Sequence, residues 1–96
     1  MAKYLIERKY FVGQDRMPEV GRRSREVRNA HYPEIIWEHS HVVIDDTGTV
    51  KSYCIYQAPS EEMVRQHSAE LGLHEIVSLY EIVGDVTPED FPLDQD

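Results

Sequence analysis

Apolar and polar positions alternate along four stretches of this chain and recur at helical spacing in two others. Tyr4, Ile6 and Tyr10 alternate with Leu5, Glu7 and Lys9, which predicts a first strand over residues 4–11 with each face partly apolar. Val12-Gly13-Gln14-Asp15-Arg16 breaks that strand. Pro18 suits the first turn of a helix, where its missing N–H would have had no partner, and Glu19 complements the positive end of the helix dipole. Met17, Val20, Ser24 and Val27 fall on one side of this helix, with Arg22, Arg23, Arg25 and Arg28 elsewhere on its circumference. The apolar stripe is thin, and Gly21 costs about 1 kcal/mol relative to Ala, so the helix depends on packing. Pro33 disfavours helical geometry at Tyr32 and ends it.

The segment Ile35 to Tyr56 holds two runs of β-branched, aromatic and aliphatic residues around Asp45-Asp46-Thr47-Gly48-Thr49. It reads as an antiparallel hairpin. A three-residue loop, Asp46-Thr47-Gly48, with Gly48 in the left-handed position sets Asp45 opposite Thr49. That register pairs His41 with Tyr53, Ser40 with Cys54 and His39 with Ile55. Strict alternation then gives Trp37, His39 and His41 one face with Tyr53 and Ile55, and gives Ser40, Val42, Ile44, Cys54 and Tyr56 the other.

Ala58-Pro59-Ser60 closes the third strand and opens a second helix with Ser60 as N-cap and Glu61 and Glu62 in its first turn. Val64, His67, Ser68 and Leu71, with Met63 beside them, form its inward stripe, and Gly72 stops it. Residues 75–83 alternate again as a fourth strand. The order strand, helix, strand, strand, helix, strand predicts an α+β ferredoxin-like βαββαβ domain over residues 1–84, with two helices on one face of a four-stranded antiparallel sheet. Residues 85–96 form an acidic, proline-containing tail expected to be extended or disordered. Two helices cover one face of four strands, so an opposite face bearing Trp37, Tyr53 and Ile55 would leave an apolar patch in water. A homodimer in which two sheets pair, a dimeric α+β barrel, is therefore expected.

The formal charge of −8 is uneven. Residues 1–30 carry eight Lys and Arg against four acids, and residues 31–96 carry two against fourteen. An acidic remainder without a basic stripe interleaved with aromatics argues against nucleic acid as a partner. The interruption of MAKYLIERKYF by charge argues against a secretory signal, and no apolar run reaches membrane-spanning length. The lone Cys54 allows no internal disulfide and is consistent with a reducing compartment. A cytoplasmic protein without membrane contact is expected.

Candidate chemistry centres on histidine. Two residues apart on one strand face, the Cα atoms of His39 and His41 are about 6.5–7 Å apart, which lets two imidazoles lean toward one cation. Imidazole nitrogen suits nickel, copper or zinc, with carboxylate or water completing the shell. A chance H-x-H pair on a solvent-facing strand is the plain alternative. His67, on the apolar side of the second helix, is either a hydrogen-bonded core residue or a polar group facing a pocket between helix and sheet. His74, just past Gly72, is an exposed loop residue or a loop-borne ligand. Cys54 reads first as a small buried hydrophobe, and Trp37 and Tyr53 as core, dimer or ligand-stacking aromatics.

The Trp37-x-His39 strand and the Tyr53-Cys54-Ile55-Tyr56 strand running into Ala58-Pro59-Ser60-x-Glu62-x-Val64-x-x-His67, then Ala69 to Gly72, resemble the small bacterial nickel-binding, nickel-responsive proteins. The resemblance covers roughly residues 4–83. It implies a ferredoxin-like dimer that takes up nickel at surface sites, and it implies no established catalytic activity. His39 and His67 match the family pattern. His41 stands where an aromatic residue is common, and first-strand histidines of some members are replaced here by Glu7, Arg8 and Lys9.

Two readings follow. In the first, a non-catalytic homodimer captures nickel or another divalent transition metal through His39, His41 and one or both of His67 and His74. In the second, a dimeric α+β barrel enzyme or small-ligand binder lines a pocket with Trp37, His39, Tyr53, Cys54 and His67.

Overall fold

The computed structural model describes residues 1–94. Four strands and two α-helices follow in the order β1 (Ala2–Tyr10), α1 (Met17–His31), β2 (Ile36–Ile44), β3 (Val50–Ala58), α2 (Glu61–Leu71) and β4 (His74–Ile82), with a short 3-10 turn, Gln14–Arg16, leading into α1. All neighbours in the sheet are antiparallel, in the order β2-β3-β1-β4. This is the ferredoxin-like arrangement, with both helices on one face.

Local signals act where the sequence places them. Ser60 Oγ accepts from the Met63 backbone N–H at 3.2 Å and starts α2. Gly72 ends it with φ 71°, its N–H donating to the Ser68 carbonyl. Gly48 has φ +85° in the hairpin loop, and the Asp45 N–H donates to the Thr49 carbonyl at 3.0 Å. The hairpin register is His39 with Ile55, Ser40 with Cys54 and His41 with Tyr53. The arginines of α1 are partly structural: Arg23 donates from Nε to the Leu71 carbonyl and from a terminal nitrogen to the Glu70 carbonyl, tying α1 to the C-terminal end of α2.

One expectation about the hairpin is corrected. The register slips between Trp37 and His39, so Glu38 is an extra residue in the ladder and Trp37 pairs with Tyr56. The extra residue inverts the alternation. Trp37 therefore stands on the helix-covered face with Ser40, Cys54 and Tyr56, across the sheet from His39, His41, Tyr53 and Ile55.

The core lies between sheet and helices in two clusters. One gathers Tyr4, Ile6, Ile35, Cys54, Tyr56, Ala58, Val64 and Leu79. The other gathers Tyr10, Val20, Val50 and Leu71. Buried polar side chains, Arg8, Ser24, Ser52, His67 and Ser68, lie within the same layer. Among the described residues no helix lies over the opposite face of the sheet, which presents exposed Leu5, Val43 and Tyr80. Beyond β4 the chain is exposed, with one short 3-10 turn, Pro88–Asp90, held by the Thr87 N–H donating to Asp90 Oδ2. The expected acidic tail continues through residues 95 and 96, which lie outside the described residues.

Candidate functional site

Alternation along β2 brings His39 and His41 onto the uncovered face of the sheet. Both are exposed, and their ring centroids are 5.3 Å apart with the planes nearly perpendicular. The bulge adds a carboxylate beside them. Glu38 sits on the same face, where it accepts from the Gln57 amide at 2.9 Å and lies 3.6 Å from Lys3 Nζ. The Gln57 hydrogen bond, then the charge of Lys3, hold the Glu38 carboxyl below its ordinary range. Among the described residues no group of three or more His, Cys, Asp or Glu is gathered as a metal cluster. A single chain thus offers two neighbouring imidazoles and leaves the remaining coordination positions to water or to another chain.

His67 and His74 are elsewhere. His67 is fully buried on the helix side of the sheet, its Nε2–H donating to the Ser24 carbonyl at 3.1 Å and its ring edge-on to Tyr32 and Tyr56. His74 is the first residue of β4 rather than a loop residue, and it pairs with Tyr10 on that same helix-covered side. Its Nδ1–H donates to the Gly72 carbonyl at 2.7 Å, and its ring lies 5.5 Å from that of Tyr10. With the sheet between them, neither can share a cation with His39 and His41 in one chain. The four histidines do not form one ligand set.

The expected aromatic and cysteine pocket is likewise divided. Tyr53 and His39 lie on the uncovered face, while Trp37 and Cys54 line a cavity of about 140 Å³ between α1 and the sheet. Cys54 is buried there, with Ser52 Oγ 3.3 Å from its sulfur. Among the described residues no histidine lines this cavity.

Arg8 does line it. It is only 2% exposed, and a reading that counts the apolar members of the β1 alternation passes over it. The signal was its place in the alternation: positions 4, 6, 8 and 10 all face the helices. One terminal nitrogen of Arg8 donates to Ser68 Oγ at 2.9 Å and the other to the Tyr56 hydroxyl at 3.5 Å. The guanidinium carbon is 4.9 Å from the centroid of the Tyr56 ring.

Fold and surface together define a ferredoxin-like α+β domain that carries paired imidazoles on an uncovered sheet face. The chain belongs to the family of nickel responsive proteins described as SCO4226-like, whose family model matches residues 4–78. Its fold is similar to that of SCO4226 from Streptomyces coelicolor A3(2), known from a crystal structure, with 18% identity and a TM-score of 0.64 over 88% of this chain and 100% of that one. It is also similar to the C-terminal domain of the MgtC protein from Mycobacterium tuberculosis, known from a solution structure, with 9% identity and a TM-score of 0.59 over 88% of each chain. No curated protein matches the chain in sequence. Among the described residues no helix is long and apolar enough to cross a membrane.

Proposed function

We propose that this chain is a non-catalytic, cytoplasmic protein that binds a divalent transition metal, nickel first, as a homodimer. The observation that carries the reading is the His39–His41 pair, two solvent-exposed imidazoles 5.3 Å apart on a face that no helix covers. Neutral imidazole is a good nickel ligand, and nickel accepts water in the positions protein leaves open. The family's description as nickel responsive agrees with that metal. Face-to-face association of two sheets would bury Leu5, Ile55 and Tyr80 and bring a second imidazole pair, or a carboxylate, toward the first.

Native mass spectrometry of untagged protein titrated with nickel, zinc and copper tests both parts. Nickel adducts on a dimer at micromolar metal, lost in the His39→Ala/His41→Ala double variant, are expected. Equal nickel uptake by wild type and double variant would move the site elsewhere. A Leu5→Glu/Tyr80→Glu variant is expected to be monomeric, and a persistent dimer would remove the sheet face as the interface.

A further inference from the structure

We propose that the cavity between α1 and the sheet is a second binding site, on the side of the sheet opposite the histidine pair, and that it takes a small organic monocarboxylate with Arg8 as its counter-charge. A guanidinium withdrawn from water costs several kcal/mol unless an anion and a full set of acceptors replace its hydration. Arg8 has neither. Its recorded acceptors are two neutral hydroxyls, those of Ser68 and Tyr56, and its buried Nε–H has no acceptor among the described residues. The chain carries 18 Asp and Glu, yet among the described residues none is within ion-pair distance of Arg8. A buried arginine kept free of carboxylates among the described residues leaves its charge for an anion from outside.

The walls specify the rest of the ligand. Met17, Val20, Val42, Leu71 and Trp37 offer apolar contact, while the polar residues Ser52 and Tyr56 line the same space as Arg8. One fixed positive charge in apolar surroundings neutralises one negative charge. A monocarboxylate with a hydrocarbon body is therefore favoured over phosphate, whose second charge would stay buried and unpaired. The volume of about 140 Å³ sets the size. An apolar protein cavity of about 150 Å³ accommodates benzene, so benzoate, with its carboxylate at Arg8, is about the upper limit of size.

Gly21 fits the same reading. It lies inside α1, where glycine costs about 1 kcal/mol relative to alanine, and it lines the cavity. A Cβ added there would meet no atom within 4 Å. Packing does not demand the glycine, and its absent side chain keeps space open.

The test is calorimetric titration of the untagged full chain with benzoate, benzyl alcohol and inorganic phosphate. NMR observation of the Arg8 Nε–H signal accompanies it. Saturable benzoate binding that shifts this signal is expected, with benzyl alcohol at least about tenfold weaker, as the loss of a charge-assisted hydrogen bond implies. Phosphate is expected not to compete. Arg8→Met and Gly21→Leu should each weaken benzoate at least about tenfold while leaving nickel uptake at the histidine pair unchanged. Benzyl alcohol binding as well as benzoate would reduce the site to an apolar void. Absence of saturable benzoate binding, or binding that survives Gly21→Leu, would overturn the proposal. Should Arg8→Met fail to fold, the Gly21 variant and the neutral probe still decide it.

Discussion

The ring of His67 meets the ring of Tyr56 edge-on, centroids 5.8 Å apart, deep between α2 and the sheet. Burial pushes the pKa of His67 below its ordinary value and the charge of Arg8 adds to this, against a raising contribution from the Ser24 carbonyl. A histidine with a depressed folded pKa is neutral in the native state and takes up a proton more readily when unfolded, so acid favours unfolding. Its influence is absent above the unfolded value of about 6.5 and grows as pH falls from there toward the lowered folded value. The urea midpoint should be lower at about pH 5.5 than at about pH 7.5. His67→Gln should flatten that slope in part, because burial lowers the pKa of His74 as well. Identical midpoints at both pH values would contradict the assignment.

Asp45 also makes the fold acid-sensitive, at lower pH and because its charged form is the one the fold favours. One carboxylate oxygen accepts from the Thr47 hydroxyl at 2.7 Å, the Thr47 N–H at 2.9 Å and the Thr49 N–H at 3.0 Å. The Thr47 hydroxyl first, then the backbone N–H groups, hold this carboxyl down at about 2. A lowered folded pKa means that the stabilisation is present above the unfolded value of about 3.9 and is lost as pH falls through the folded one. Asp45→Ala should lower Tm near neutral pH, and the difference from wild type should close as pH approaches about 2. Thermal melts of the two proteins across that range measure it.

Gly72 adopts φ 71° and ψ −167°, a region open essentially to glycine alone, and Leu73 follows at φ 63°. Leu73 tolerates its left-handed backbone because it packs against the Tyr10, Val20, Val50 and Leu71 cluster. Gly72→Ala should cost about 1–3 kcal/mol by chemical denaturation. A loss much smaller than 1 kcal/mol would mean that the α2–β4 connection relaxes into another conformation.

Ser60 caps α2 through a single hydrogen bond to the Met63 N–H. Ser60→Ala should destabilise by about 1 kcal/mol, and Ser60→Asp should restore most of it because aspartate accepts the same bond and suits the dipole. Paired denaturation curves for the two variants separate capping from any other role of the position.

Most of the architecture follows from local signals. The cap at Ser60, the stop at Gly72, the left-handed Gly48 and period-two alternation fix element order and hairpin register. The site is less legible, for two physical reasons. Alternation predicts faces only while the ladder is regular, so the extra residue at Glu38 moved Trp37 across the sheet without a signal in residue type. Charge, in turn, suggests exposure, and although alternation in β1 points Arg8 inward, its surroundings come from Tyr56 on β3 and Ser68 on α2. His67 was readable as an inward residue from helical spacing, but its separation from His39 by the whole sheet is a property of the assembled layers.

The insertion at Glu38 gives β2 two phases. Up to Trp37 the odd-numbered side chain looks into the protein; from His39 onward the odd-numbered side chains look out of it. Exchanging either imidazole therefore leaves the cavity beneath α1 as it was, and resizing Trp37 leaves the histidine-bearing face as it was. One strand supplies two chemically independent surfaces, each adjustable by point substitution without a toll on the other.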